Sequence, residues 1–123
     1  LILWITGQSG SGKTTLAEYF LERIDAVHLD GDVMRSAIST DLGLEKADRY
    51  EHNLRVARLA KELEDQGFNV IVSLISPYRD LREEIQEITG CSYIFLRGGK
   101  VHPDYPYEEP DDVLTLEAWN FGD

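Results

Sequence analysis

The chain has 123 residues, 42% of them hydrophobic, and a formal net charge of −11 from 12 basic and 23 acidic side chains. That length fits one domain with its own core, and the acidic balance argues against a nucleic-acid backbone as partner. No apolar run approaches the ~20 residues of a membrane span, and the lone Cys91 excludes an internal disulfide or a cysteine-based metal site.

Residues 2–6 form an apolar, β-prone run and read as strand one. No signal peptide is expected, because Leu1 begins this strand in place of a charged leader, and a residue or two is expected ahead of it. Next comes Gly7-Gln8-Ser9-Gly10-Ser11-Gly12-Lys13-Thr14-Thr15, which fits the pattern G-x-x-x-x-G-K-[ST] from Gly7 to Thr14. A helix over 13–24 follows, with Ala17, Phe20, Leu21 and Ile24 at helical spacing. Strand, glycine-rich loop and helix are the setting in which a polyphosphate is bound. Glycines let the backbone turn its N–H groups inward. The helix start adds unpaired N–H groups and a positive dipole end. Lys13 can reach the β- and γ-phosphates, and the Thr14 hydroxyl suits Mg²⁺, a hard ion that prefers oxygen. All nine residues Gly7 to Thr15 are the expected phosphate-binding set.

Strand two is expected over 26–29, a helix over 32–40 after Gly31, and a longer helix over 46–66 with Val56, Leu59, Ala60 and Leu63 on its apolar face. Gly67 reads as that helix's C-cap. Strand three is expected over 69–75, apolar on both faces and therefore central. Leu81, Ile85 and Ile88 mark a helix over 79–89 closed by Gly90, and strand four follows over 92–96. Residues 97–112 hold three of the four prolines and read as a loop. A short fifth strand is expected over 113–116 and a tail over 117–123. This alternation predicts an α/β fold of P-loop kinase type. It would be a three-layer α/β/α sandwich around a central, mostly parallel sheet of four to five strands. Cys91 reads as a small buried hydrophobe, and a reducing, cytoplasmic setting is the default.

In open α/β sheets, ligands sit beyond the carboxyl ends of the strands. Asp30-Gly31-Asp32 and then Arg35 follow strand two, with Gly31 read as permitting a tight turn. Ser76-Pro77-Tyr78-Arg79 follows strand three, and Arg97-Gly98-Gly99-Lys100 follows strand four. One carboxylate of the Asp30/Asp32 pair suits a magnesium ion through water, and the other suits a proton from an attacking hydroxyl. Helix capping by Asp32 is the competing reading. Arg49, His52 and Asn53 share a helix face and, with Arg35, suit an anionic acceptor. A solvated helix surface is the alternative for each arginine alone. His28 reads as a satisfied core or edge histidine, and His102 has no metal-spaced partner. Trp4 and Phe95 read as core, and Tyr105 and Tyr107 as loop packing.

Taken together, the phosphate loop, Leu29-Asp30-Gly31-Asp32-Val33-Met34-Arg35, Asp41-Leu42-Gly43, Asp48-Arg49 and Ile75-Ser76-Pro77-Tyr78-Arg79 resemble the adenylylsulfate kinase family. The likeness runs over about residues 2–90, and Pro106-Tyr107-Glu108-Glu109-Pro110 is similar to a later family stretch. The resemblance implies ATP-dependent phosphorylation of the 3′-hydroxyl of adenylylsulfate. It implies that Lys13 and Thr14 hold ATP and Mg²⁺, that Asp32 is the base, and that Asp30 is an assisting carboxylate on the metal side. It also implies that Arg35, Arg49 and Ser76 line the acceptor pocket. Leu44 stands where the family usually has an aromatic that stacks on the substrate adenine. His52 takes the position of a family asparagine, with Asn53 one residue later. The stretch between strand four and Pro106 is too short for the usual basic lid, and Arg97 and Lys100 are read as what remains of its cations. The implied partner is a small-molecule substrate, with no nucleic acid and no membrane, and a homodimer is left open. Two alternatives stay open: a kinase for another small hydroxyl or nucleotide acceptor, and a nucleotide-binding module without turnover. The intact Asp30/Asp32 pair argues against the second.

Overall fold

The computed structural model describes residues 1–102 and 106–117. Among these, the elements follow in the order β1 (Ile2–Gly7), α1 (Lys13–Leu21), β2 (Val27–Asp30), α2 (Gly31–Ile38), α3 (Lys46–Asp65), β3 (Val70–Ser73), α4 (Arg79–Thr89), β4 (Ser92–Arg97) and β5 (Leu114–Glu117). The strands form one sheet in the order β2-β3-β1-β4-β5, and every pairing is parallel. Tyr105 and residues 118–123, most of the expected tail, lie outside the described residues.

Alternation along β1 sorts its side chains onto the two faces of the sheet. Ile2 and Trp4 join Val70, Val72, Val56, Ala60, Leu81 and Ile85 in the core under α3 and α4. Ile5 joins Ile71, Leu16, Ala17, Ile94 and Leu96 in a second core under α1. Both faces are therefore covered, and the central strands β1 and β3 are apolar on each side, as a buried parallel sheet requires. Cys91 is buried within the first core. Phe95 is buried and stacks on Tyr107, with ring centroids 5.5 Å apart. No helix among the described residues is long and apolar enough to cross a membrane.

The expected elements are all present, and four differences have physical causes. Helix α1 ends at Leu21, yet Phe20 and Ile24 still pack on the core, because the following turn keeps the Ile24 amide on the Phe20 carbonyl at 2.9 Å. Helix α2 begins at Gly31, because the capping is done by Asp30 and not by Asp32. The Asp30 carboxylate accepts from the backbone N–H of Asp32 and of Val33, each at 3.2 Å. Helix α3 is capped by Gln66, and Gly67 follows it with a left-handed φ of 99°. Strand β3 stops at Ser73, two residues before the apolar run ends. Beyond it the chain turns at Ser76, whose φ is 48°. The turn is held by the β1 side chains Trp4, which donates to Ser76 Oγ at 2.9 Å, and Thr6, which donates to the Ile75 carbonyl.

Candidate active site

The carboxyl tips of β1, β2 and β3 open onto a cleft of about 420 Å³. Its walls include Ser9, Gly10, Gly12, Lys13, Thr14 and Thr15 of the glycine-rich loop and helix start, then Asp30, Gly31, Asp32 and Arg35. Arg49, His52, Asn53, Ser73, Leu74, Ile75 and Pro77 complete it. Lys13, Asp30 and Asp32 thus face one space.

The loop owes its shape to Gly10 and Gly12, which have φ of 76° and 98°, and Gly12 is the N-cap of α1. That backbone leaves the first amides of α1 directed at the loop's interior. Gly7, Gln8 and Ser11 contribute to the loop without lining the cleft: Gln8 supplies a carbonyl, and Ser11 is buried. Lys13 Nζ donates to the Gln8 carbonyl at 2.7 Å. Burial lowers the Lys13 ammonium to about 8, against the opposing pull of the Asp32 and Asp30 charges.

Asp30 is the most heavily bonded carboxylate of the cleft. Its Oδ1 accepts from Thr14 Oγ1 at 2.9 Å and from Ser73 Oγ at 3.1 Å, while Oδ2 takes the two α2 amides. Burial pushes the Asp30 carboxyl up, but the bonds from Thr14, Val33 and Ser73 and the charge of His28 outweigh it. The group therefore lies below its ordinary range. A carboxylate so occupied is a fixed acceptor and a poor proton shuttle. Asp32, in the first turn of α2, makes no cap bond of this kind and is the freer of the two.

Gly31 separates them, and its role differs from the turn expected of it. It has no left-handed φ; instead, a Cβ there would fall 2.6 Å from Leu74 Cδ1 and 3.2 Å from the Ser73 carbonyl. The residue is small because the β2–α2 corner lies directly against the end of β3.

His52 lines the cleft, but both ring nitrogens are engaged inside the protein. Nε2 faces the Gly31 carbonyl at 3.3 Å and Nδ1 faces Ser39 Oγ at 2.7 Å. The carbonyl can only accept, so Nε2 carries the hydrogen and Ser39 donates to Nδ1. Burial lowers the His52 imidazolium, so the ring is held neutral as a brace between α3 and both ends of α2. Asn53 is likewise committed, accepting from Ser76 Oγ at 2.6 Å and donating to the Arg49 carbonyl at 2.8 Å. Ser76 is fully buried and does not line the cleft; it supports the wall from behind. Arg35 lines the cleft and donates through Nη1 to the Gly43 carbonyl at 2.9 Å, which ties it to the Asp41-Leu42-Gly43 turn. Leu44, just beyond, is 53% exposed.

Arg97 and Lys100 are not brought to this cleft. Arg97 bonds Glu117 at 3.0 Å and pairs with Glu109 at 3.6 Å. Lys100 instead uses its backbone N–H, which donates to the Ser9 carbonyl at 2.8 Å. The segment after β4 therefore lies on the outside of the phosphate loop. Among the described residues no cluster of three or more histidine, cysteine, aspartate or glutamate side chains could hold a metal by itself. Thr14 and Asp30 nonetheless offer adjacent hard oxygens, the donor set by which Mg²⁺ is usually shared with phosphate oxygens and water.

Sequence reasoning did not find Ser73, which looks like one more small residue in a buried strand. Its signal lay in the parallel register that sets it opposite Asp30. His28, expected to be satisfied, does have a partner: its Nε2 lies 2.7 Å from Ser73 Oγ. Burial keeps the His28 imidazolium lowered despite Asp30 and Glu18 nearby.

An all-parallel sheet with a glycine-rich loop leading into α1, and a lysine and paired carboxylates around one cleft, define a fold of P-loop kinase type. A sequence profile of the family described as adenylylsulphate kinase matches residues 1–112. The chain belongs to that family. It is 45% identical over 86 residues to an adenylyl-sulfate kinase of Burkholderia ambifaria, covering 66% of this chain and 48% of the relative. It is 43% identical over 93 residues to one of Geotalea daltonii, covering 72% of this chain and 46% of that protein. The chain thus spans about half the length of these curated relatives. Among solved structures, the APS kinase of Mycobacterium tuberculosis in complex with AMPPNP and APS superposes with a TM-score of 0.74 at 27% identity. That match covers 94% of this chain and 87% of the other.

Proposed function

We propose that this chain is an ATP-dependent kinase that phosphorylates the 3′-hydroxyl of adenylylsulfate. The observation that carries the reading is the single cleft shared by Lys13, Thr14, Asp30, Asp32, Arg35 and Arg49. The APS kinase of Mycobacterium tuberculosis, solved with AMPPNP and APS, supports the same pair of ligands.

The triphosphate would lie along the loop amides, with Lys13 moving from the Gln8 carbonyl to the β- and γ-phosphates. Thr14 and Asp30 would hold Mg²⁺, whose charge offsets that of the phosphate oxygens when it is bound. Arg35 and Arg49 would hold the acceptor's anionic phosphosulfate, for which guanidinium forks are suited. Asp32 would accept the proton of the attacking hydroxyl. A new bond forms from that oxygen to the γ-phosphorus, and the bond to the β–γ bridging oxygen breaks, releasing ADP. Most of the acceleration would come from holding the two reactants in line. A cytoplasmic, reducing setting accords with a single, buried cysteine.

The test is an ATP-coupled assay with adenylylsulfate. Acceptor-dependent ADP together with a 3′-phosphorylated product is the expected result. A second reading, a kinase for another small hydroxyl acceptor, draws on the exposed Leu44 and on Arg97 lying outside the cleft. Label passing from ATP to another acceptor, and none to adenylylsulfate, would select it.

A further inference from the structure

We propose that His28 and Ser73 are positioning residues that fix the Asp30 carboxylate for the magnesium–nucleotide complex, through a side-chain relay crossing from β2 to β3. The inference rests on the kinase reading above, in which Asp30 lies on the metal side.

The backbone makes the relay available. In the parallel pairing of β2 with β3, Asp30 lies opposite Ser73 and His28 opposite Ile71. Residues two apart on a strand share a face, so His28, Asp30 and Ser73 stand on the α1 side of the sheet, where Thr14 is found. The distances close the chain: His28 Nε2 to Ser73 Oγ is 2.7 Å, Ser73 Oγ to Asp30 Oδ1 is 3.1 Å, and Thr14 Oγ1 to the same oxygen is 2.9 Å.

Chemistry gives the relay a direction. Ser73 has one hydroxyl hydrogen and two neighbours able to accept it. An ionised carboxylate is the stronger acceptor, so Ser73 donates to Asp30. Its oxygen then accepts from His28, which must carry its hydrogen on Nε2. With Nε2 donating, His28 leaves the Ser73 hydrogen committed to Asp30, and Ser73 itself is only 3% exposed. With the amides of Asp32 and Val33 on Oδ2, the carboxylate is held from three segments of chain at once. Without the relay, Thr14 is the one side chain among the described residues left bonding to Oδ1, and it is the residue that must also serve the metal. Groups that orient a metal-side carboxylate in this way typically change metal affinity by about 10–100-fold when removed.

The experiment is calorimetric binding of ATP with and without Mg²⁺ to the full chain, alongside thermal unfolding. In the wild type, Mg²⁺ tightens ATP binding. Ser73→Ala and His28→Leu are each expected to reduce that Mg²⁺-dependent tightening by about tenfold, with Mg²⁺-free ATP binding nearly unchanged. The double variant is expected to lose no more than Ser73→Ala alone, because one relay can be broken only once. His28→Gln is expected to keep most of the tightening, since its amide can donate to Ser73 Oγ. Should His28→Leu fail to fold, Ser73→Ala and His28→Gln still decide the matter. Wild-type Mg²⁺ dependence in a folded Ser73→Ala protein, or additive losses in the double variant, would overturn the relay alone. A wild-type chain that binds no ATP would overturn the kinase reading and the relay with it.

Discussion

Thr14 and Asp30 meet across 2.9 Å, hydroxyl to carboxylate, and so join the start of α1 to the tip of an edge strand. The bond separates the duties of the two aspartates, since Asp30 is engaged on both oxygens while Asp32 stands in the first turn of α2 without such partners. Asp32→Asn should leave Mg²⁺·ATP binding within about twofold and lower kcat by about 10²–10⁴, the usual worth of a positioned general base. Asp30→Asn should instead weaken Mg²⁺·ATP binding. Titration calorimetry with steady-state kinetics distinguishes them, and unchanged turnover in Asp32→Asn would remove that residue from the base role.

Lys13 gives the site a pH dependence with a definite sign. Burial lowers its ammonium to about 8, well under the usual lysine value. Below pH 8 the side chain is charged and ready for phosphate. Above it, the free protein holds a neutral amine that must take up a proton on binding. Nucleotide affinity should therefore fall as pH rises past 8, by up to about tenfold per pH unit. Calorimetry in buffers of different ionisation enthalpy should show proton uptake at pH 8 and little at pH 6.5. A flat affinity profile between pH 7 and 9.5 would contradict this.

Behind the acceptor wall runs a buried chain from Trp4 Nε1 to Ser76 Oγ, then to Asn53 and on to the Arg49 carbonyl. Trp4→Phe removes the first donor and leaves a void beside a buried hydroxyl. It should cost about 1–3 kcal/mol in urea unfolding. The Ser76 turn and the α3 wall lose a tether, so KM for the acceptor should rise more than KM for ATP. Equal effects on both substrates would argue that the chain serves the core alone.

Gly99 touches the phosphate loop from outside. Its φ is 83°, and a Cβ there would stand 2.6 Å from the Ser9 carbonyl and 3.1 Å from the Ser11 amide. Backbone atoms cannot swing aside as a side chain can. Gly99→Ala should cost on the order of 1–2 kcal/mol from the left-handed conformation alone, and it should weaken ATP binding by pushing on the loop. Nucleotide affinity, measured beside the unfolding midpoint, checks it. Loss of stability with undiminished affinity would show that the contact does not shape the loop.

Much of the arrangement was legible along the chain. The pattern from Gly7 to Thr14 names its own ligand chemistry, because a phosphate cradle is made by neighbouring backbone amides whose spacing is written residue by residue. Elements β1, α4 and β4 announced themselves by periodicity and by glycine at α4's end. The end of β3 did not, because Leu74 and Ile75 are as apolar as the strand before them. Tertiary donors from Trp4, Thr6 and Arg82 hold the chain in its turn at Ser76. His52 and Asn53 were placed on the correct face for a cleft, yet their polar atoms turn inward to Gly31, Ser39 and Ser76. Arg97 reads as a remaining cation of the lid, and Glu117 and Glu109 hold it outside the cleft.

The sequence by itself determined the local chemistry: a loop of the pattern that suits polyphosphate, an acidic pair at a strand tip, and alternating elements that imply a covered, mostly parallel sheet. Each of these depends on residues a few positions apart, whose geometry the backbone dictates. The tertiary structure decided which aspartate is fixed and which is free, that Ser73 and His28 stand behind Asp30, and that the segment after β4 buttresses the phosphate loop. Those outcomes depend on the register between parallel strands more than forty residues apart in the chain. They also depend on competition among several acceptors for one hydrogen, which no local pattern records.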